Sequence, residues 1–497
     1  MASVLGIDLG TQSIKVVCYD FQTKKFLSNV SSPLDVQRDK GGAAEQLASD
    51  WLDGLKYCID QIPESVKQTI CAIGVSGQQH GFVPVDICGE VLAPVKLWCD
   101  TSTQLEVDQI TEACGGREAA IEMTGNPVVA GFTSPKIRWL KNNHPDLYEK
   151  MTAIMLPHDY LNFVLTGEKV MEHGDASGTG LLDVQTRSWS ADMLSAIDSD
   201  RRLLDCLPEL VPCDTFIGKT SKEFSASYGL PAGIPVSVGG GDNMMGAIGT
   251  GNVSAGKLTM SLGSSGTLYA YCDKPIVDKK GDIAAFCSST GGWLPLLCTM
   301  NCTIGTEIIR DLLGISIEEF DQSIASIPAA SDGLLTLPYF NGERTPNLPN
   351  GRGCVIGLTP DNCSPGHFLR STIEGATYAL NYGISELQTL GLEAKEIVLT
   401  GGGANSAQWR QMVADICQLP VSILAQEEGA SFGAALQALW VLQREEHPKI
   451  DLIEITDQHL TKNNDLSVSP NPSNKLAYEQ GFSDYQNAVE HISPLFK

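Results

Sequence analysis

An aspartate that follows three consecutive glycines is the first place where this chain could do chemistry. In Val236-Ser-Val-Gly239-Gly240-Gly241-Asp242-Asn243, a short β-branched run enters the glycines, and a segment of small and apolar residues, Met244 to Ile248, follows. The pattern predicts strand, tight turn and helix start, which sets the Asp242 carboxylate over the C-terminal edge of a sheet, where a general acid or base can work. A helix N-cap after a glycine turn is the plainer alternative. A second acid opens the polar run Asp8-Leu-Gly10-Thr11-Gln12-Ser13. A carboxylate, backbone amides and hydroxyls at one spot are what a metal-bound phosphate needs, although an unliganded turn has the same composition. A third group, Ser76-Gly-Gln78-Gln79-His80-Gly81, ends a buried-type strand. Carboxamides both donate and accept, so with an imidazole they suit a polyhydroxylated ligand; a strand-end turn with His80 bonded to backbone is the alternative. Polar residues also end the strand-like Val95-Lys-Leu-Trp98, at Cys99-Asp100-Thr101-Ser102-Thr103.

These groups need elements to hold them. The start of the chain predicts a hairpin, with Val4 to Ile7 as one strand, Asp8 to Ser13 as the turn and Ile14 to Tyr19 as the return. A helix over Ala48 to Ile62 and a strand over Ile70 to Val75 follow. Gly131 to Leu140 starts a helix with Thr133 or Ser134 as cap; Lys136 could reach a ligand, with covering a surface as the plainer reading; Asp175 to Leu182 reads as a small-residue strand or loop. Then the plan starts again. Lys257 to Leu262, Gly263-Ser264-Ser265-Gly266-Thr267 and the next strand are laid out like the first hairpin, and Ile397 to Thr400 with Gly401-Gly402-Gly403-Ala404-Asn405 is laid out like Ile73 to Gln78. Two echoes in the same order predict an internal duplication of an α/β unit, with ligands between the halves. The boundary is placed near Gly249 to Gly256, giving domains 1–252 and 253–497. Further on, Leu369 to Leu387 predicts a long helix, Glu427-Glu428-Gly429 starts a helix of small residues, and Asn474 to His491 predicts a peripheral one.

Composition narrows the classes. With 497 residues the chain is too long for one core. A formal net charge of -25 repels nucleic acid and anionic membranes, while a nucleotide can still bind through amides and a metal ion. The 15 cysteines include no C-x-x-C pair, which points to reduced thiols in the cytoplasm. No apolar run reaches membrane-spanning length. Gly251 to Lys257 has P-loop spacing, but the next residue is Leu258, which cannot ligate magnesium. His158-Asp159 has no Gly-x-Ser-x-Gly elbow to complete a hydrolase triad.

Taken together, Gly6-Ile-Asp8-Leu-Gly-Thr11, Gly239-Gly-Gly-Asp242-Asn243, Leu262-Gly-Ser-Ser-Gly-Thr267 and Gly401-Gly-Gly-Ala-Asn405 resemble the FGGY carbohydrate kinases. That family's longer signatures also fit, at Gly131 to Asn142 and Gly353 to Glu374. Within it, Ser76 to Gly81, Leu97 to Asp100, Leu156 to Tyr160 and Gly342 to Pro346 are most similar to members that phosphorylate D-xylulose. Gln79, where many bacterial members have Met, and Thr101-Ser102-Thr103, where Arg is common, depart from that pattern. The resemblance implies an actin-like fold of two ribonuclease-H-like domains with a central cleft for ATP and sugar. It implies Asp242 as base with an ordinary carboxylate pKa of about 3.9, and Gln79, His80, Asp100 and Asn243 as sugar ligands. Thr11, Gln12, Ser13, Ser264, Ser265, Gly266 and Thr267 would meet phosphates, Gly402, Gly403 and Asn405 would line the adenosine pocket, and Asp8 with Asp242 would hold Mg²⁺. A small sugar and ATP are the implied partners, with a homodimer as an allowed state. A kinase for ribulose or another polyol and, from another class, a filament or chaperone ATPase stay open as alternatives.

Overall fold

The computed structural model describes residues 2–426 and 429–496, and these form two compact units. Unit 1 takes residues 2–253, 272–294 and 429–460; unit 2 takes 254–271, 295–426 and 461–496. The linear division at 252/253 therefore marks only the end of unit 1's first stretch. Two later stretches return to unit 1, because one of them supplies the helix that covers its sheet.

The sheet of unit 1 is built from β1 (Ser3–Leu9), β2 (Ser13–Asp20), β3 (Lys25–Pro33), β4 (Ile70–Gly77), β5 (Phe216–Lys219) and β6 (Pro235–Ser237), with a short β7 (Gly240–Gly241) beside β4. Its order is β5-β6-β4-β1-β2-β3. β1 is antiparallel to β2 and parallel to β4, with Asp8 opposite Ser76. Side chains alternate along a strand, so Leu5, Ile7 and Leu9 enter a core with Trp51, Leu55 and Ile59 of the helix Ala48–Asp60. Gly6, between them, faces the other side. There the helix Gly429–Glu446 lies so close that a Cβ on Gly6 would fall 1.9 Å from the Ser431 carbonyl oxygen, and one on Gly74 2.0 Å from that of Ala434. Small residues on both surfaces are what let helix and sheet meet. The expected helix start at Glu427 and Glu428 lies outside the described residues.

Unit 2 repeats the frame with β8 (Lys257–Leu262), β9 (Gly266–Ala270), β10 (Leu296–Thr299), β11 (Glu396–Thr400) and β12 (Val421–Ser422), in the order β10-β9-β8-β11-β12. β8 is antiparallel to β9 and parallel to β11, as β1 is to β2 and β4. Taken from β3, unit 1 reads third, second, first, fourth, sixth, fifth in chain order, and unit 2, taken from β10, reads third, second, first, fourth, fifth, so the first four places agree. The duplication predicted from two motif echoes is thus present as a strand order. The helix Pro365–Thr389 is the long helix of unit 2.

Several local expectations change. Asp8 belongs to β1, and the turn begins at Gly10. Thr133 and Ser134 lie inside the helix Thr133–Asn143, whose N-cap position is Phe132, because the Thr133 hydroxyl bonds the His80 carbonyl instead. Lys136 covers no surface: it is fully buried, and its Nζ donates to the carbonyls of His80 and Gly131 at 2.8 Å each. Asp175 lies in a short helix, His173–Ser177, which Glu172 caps through its carboxylate. All 15 cysteines are free thiols.

Candidate active site

Asp242 is the first residue of the helix Asp242–Gly249, directly after β7. Gly239, with φ of +72°, makes the turn that aims it; a Cβ there would lie 2.0 Å from the Val75 carbonyl oxygen. Asp242 Oδ1 accepts the Asn243 backbone N–H at 2.8 Å and Asn243 Nδ2 at 3.0 Å. Burial, and then the nearby charges of Asp8 and Asp175, push Asp242 up to about 8. That replaces the expectation of an ordinary carboxylate, because three acids converge where water is scarce. Asp8, half-buried in β1, accepts the Ser76 hydroxyl at 2.7 Å and is itself raised by burial.

Asn243 Nδ2 also donates to Gln79 Oε1 at 2.9 Å, which orients the Gln79 amide. His80 takes a left-handed backbone, φ of +65°, rare enough outside glycine to mark a site held by its surroundings. Its Nδ1 donates to the Gly178 carbonyl at 2.5 Å, and the ring packs against Phe132 and Phe286. Asp242, Asn243 and Gln79 thus form one hydrogen-bonded group in unit 1, and His80 follows Gln79 in the chain.

Asp100 does not join it. Its Oδ1 accepts the amide and hydroxyl of Ser102, its Oδ2 accepts the Ala44 amide and faces Lys96, and it is fully buried. A carboxylate already satisfied by four donors organises its loop and has nothing to offer a sugar. Thr11 is also committed: its hydroxyl donates to Gln78 Oε1 and accepts Trp98 Nε1, each at 2.9 Å, and its carbonyl accepts Gln46 Nε2 at 2.8 Å. Gln12 is exposed and Ser13 half-buried at the same turn.

In unit 2, Ser264 is exposed and Ser265 and Thr267 half-buried at the β8–β9 turn. The Ser264 and Gly263 carbonyls accept the Cys302 and Thr303 amides at 3.0 and 2.9 Å, which fixes the turn through backbone. Gly266 is buried, and a Cβ there would meet Thr299 Oγ1 at 2.7 Å. Gly403 is also a packing glycine, against Leu262 and Trp409, whereas Gly402 and Asn405 are exposed.

The sequence reading did not find Gln46, Ser76 and Trp98 as supports, nor His158, Glu172 and Asp175 as a buried cluster. Thr11 lies 35 residues from Gln46 and 87 from Trp98, Asp8 lies 68 from Ser76 and Asp175 lies 17 from His158, and no local spacing announces these pairs.

A duplicated ribonuclease-H-like sheet, acid-bearing on one unit and hydroxyl-bearing on the other, defines a two-domain actin-like α/β protein. Models of the FGGY family of carbohydrate kinases match, the N-terminal domain over residues 3–249 and the C-terminal domain over 281–442. The chain is 39% identical to a xylulose kinase of Haemophilus influenzae, over 99% of this chain and 100% of that one. It is 33% identical to a xylulose kinase of Bacillus subtilis, over 100% and 98%. Among solved structures, a "xyloylose kinase" from Brucella ovis superposes with a TM-score of 0.91 at 28% identity, covering 99% of this chain and 100% of that one. The chain belongs to the FGGY family of carbohydrate kinases. It is a sugar kinase with ATP as phosphoryl donor, which sets aside the filament or chaperone ATPase. Among the described residues, no helix is long and apolar enough to cross a membrane.

Proposed function

We propose that the protein transfers the γ-phosphate of ATP to the terminal hydroxyl of a ketopentose, D-xylulose in the first place, to give D-xylulose 5-phosphate. The observation that carries this reading is the polar group of unit 1, in which Asp242 begins a helix beside Asn243, Gln79 and His80. The xylulose kinases of H. influenzae and B. subtilis support the choice of sugar.

In this reading Asp242 accepts the proton of the attacking hydroxyl. A loose phosphoryl-transfer transition state leaves most of the work to positioning, so the base acts late and need not be strong. Gln79, His80 and Asn243 orient the sugar through its hydroxyls. The amides and side chains of Gln12 and Ser13 on unit 1, and Ser264, Ser265 and Thr267 on unit 2, meet phosphate oxygens; Gly402 and Asn405 meet the adenosine.

Asp8 and Asp242 are the groups that would hold Mg²⁺. Two carboxylates whose proton affinity is raised in a desolvated place are suitable oxygen donors for a hard cation. Among the described residues no group of three or more His, Cys, Asp or Glu could hold an ion, so the donor set fits a cation that arrives with phosphate and water ligands of its own. Bound there, magnesium would neutralise charge on the phosphates. The free thiols support a cytoplasmic setting.

The test is ADP release by purified protein with Mg-ATP, across D-xylulose, D-ribulose, L-ribulose, L-xylulose and glycerol. D-Xylulose should be preferred; preference for another sugar would move the substrate to that ketose or polyol, with Gln79 as the first suspect. No sugar-dependent release would overturn the reading. Asp242→Ala should lower kcat by about a thousandfold or more, as loss of a group acting on the reacting atoms does, and a variant that keeps more than a few per cent of turnover would remove Asp242 from the base role.

A further inference from the structure

Behind Gln79, His80 and Asp242 lies a buried cluster that none of these roles uses. His158, in the first turn of the helix Pro157–Thr166, is fully buried, with Nδ1 2.6 Å from Asp175 Oδ2 and Nε2 3.1 Å from Asp159 Oδ1. Asp159 Oδ2 accepts the Leu156 amide at 2.9 Å. Glu172 accepts the amides of Gly174 and Asp175 at 2.5 Å each, which ties the short helix to the cluster. Burial works against a charged imidazole, but the carboxylates of Asp159 and Asp175 outweigh it and hold His158 up. His158 is thus a buried imidazole between two acids, with Nε2 and Asp159 Oδ1 close but not hydrogen-bonded, an arrangement costly to bury and easily replaced by apolar packing if stability were all it served.

The geometry around Asp175 shows where it acts. Its second oxygen, Oδ1, is buried and has no hydrogen-bond partner. That oxygen lies against Gly241, the residue before Asp242: a Cβ on Gly241 would fall 2.9 Å from it and 2.7 Å from Gln79 Cγ. Gln79 Nε2 is likewise buried without a partner, while its Oε1 is held by Asn243. Gly178, directly after the short helix, bonds the Asp175 carbonyl through its N–H at 2.9 Å, and its own carbonyl accepts His80 Nδ1. Residues 172–178 therefore touch the Gly241–Asp242 turn and His80, and Asp175 Oδ1 shares the Gly241 surface with Gln79. His158 fixes this segment from behind, packed so closely on Gly77 that a Cβ there would meet its backbone nitrogen at 2.7 Å.

We infer that Asp175, clamped by His158, is a positioning residue for the phosphoryl-acceptor sugar: it sets the Gly241 turn, the Gln79 amide and the His80 ring in the arrangement that receives the sugar's hydroxyls. This rests on the sugar-kinase reading above. Oδ2 is held by His158 and Oδ1 meets Gly241, so the carboxylate has one orientation. An amide in its place would lose the charge that holds His158 and turn a donor toward one of its two neighbours.

The test is the steady-state kinetics of Asp175→Asn and His158→Gln with D-xylulose and ATP, alongside urea unfolding of the same samples. Both variants should raise the KM for D-xylulose about tenfold, the size of one well-made hydrogen bond to a sugar hydroxyl, and leave the KM for ATP within about twofold. Folded variants with an unchanged KM for D-xylulose would overturn the inference, and so would an equal rise in both KM values. If Asp175→Asn does not fold, His158→Gln decides alone by the same split. Wild-type protein inactive on every sugar would instead overturn the functional reading, so the two failures are distinguishable.

Discussion

The two hairpins have one backbone plan and different chemistry. Each runs into its turn at a glycine, Gly10 in unit 1 and Gly263 in unit 2, and each first strand has its hairpin partner on one side and a parallel strand on the other. Two residues before the glycine stands Asp8, opposite Ser76; at the matching place in unit 2 stands Ser261, opposite Thr400. The turns differ too, since Leu9 pairs with Ile14 but Leu262 with Gly266, one residue fewer. A duplicated frame has kept its hydrogen-bonding pattern and changed its charges. An acid is useful where a cation must be held, whereas a turn that meets phosphates works through amides and hydroxyls.

Exchanging the two chemistries is the strongest way to break this comparison. Asp8→Asn should lower kcat by about a hundredfold to a thousandfold, the range for removing one electrostatic group from a transition state, and raise the magnesium concentration needed for half-maximal rate. Ser261→Asp should raise the KM for ATP about tenfold through like-charge repulsion and leave the KM for the sugar nearly unchanged. Kinetics on both variants check this. An Asp8→Asn enzyme with normal magnesium dependence would show that the acid in the unit 1 hairpin has another purpose.

The hairpins, the glycine-bounded turns and the repeat were legible because each is written in contiguous residues whose apolar pattern and glycines suffice. Asp242 was legible for the same reason: turn and helix start lie side by side in sequence. Asp100 misled because its sequence neighbours say nothing of Lys96 and Ala44, which use up its oxygens. Lys136 misled because a lysine in an amphipathic helix usually lies at the surface, and only the fold brings the His80 carbonyl to it. The raised proton affinity of Asp242 comes first from burial and then from Asp8 and Asp175, 234 and 67 residues earlier, so it could not be read from the local motif.

Unit 1 collects acids and unit 2's turn has none, so ligand binding should be coupled to protons through unit 1. Asp242 is pushed up to about 8 in the folded protein against the ordinary carboxylate value of 3.8. The folded state therefore binds a proton that the unfolded chain releases, and this group lowers stability as pH rises from about 4 to about 8. A divalent cation would favour the ionised form and displace the proton. Calorimetry of Mg-ATP binding at pH 7, in buffers of different ionisation enthalpy, should detect release of close to one proton per site, fading above pH 8 and absent in Asp242→Asn. The same variant should gain urea resistance relative to wild type at pH 8 without ligand. Binding that releases no protons at pH 7 would place the cation away from Asp242.

The smallest effect concerns how each turn is braced. In unit 2 the turn is held through backbone, by the amides of Cys302 and Thr303. In unit 1 it is held by side chains: Trp98 and Gln78 meet the Thr11 hydroxyl, and Gln46, which bonds the Thr11 carbonyl, also accepts Gln78 Nε2 and Trp51 Nε1 at 2.9 Å each. A turn braced by side chains can be loosened one hydrogen bond at a time. Trp98→Phe keeps most of the ring and removes only the indole N–H, so Thr11 keeps its bond to Gln78 and the loss should be about 0.5 to 1.5 kcal/mol in urea unfolding. Because Gln78 adjoins Gln79 and His80 in sequence, the loosened turn should also raise the KM for ATP and for sugar together, about twofold to threefold each. A rise in the KM for ATP alone would mean that the brace serves its own turn only, and that Gln78 does not carry its position to Gln79 and His80.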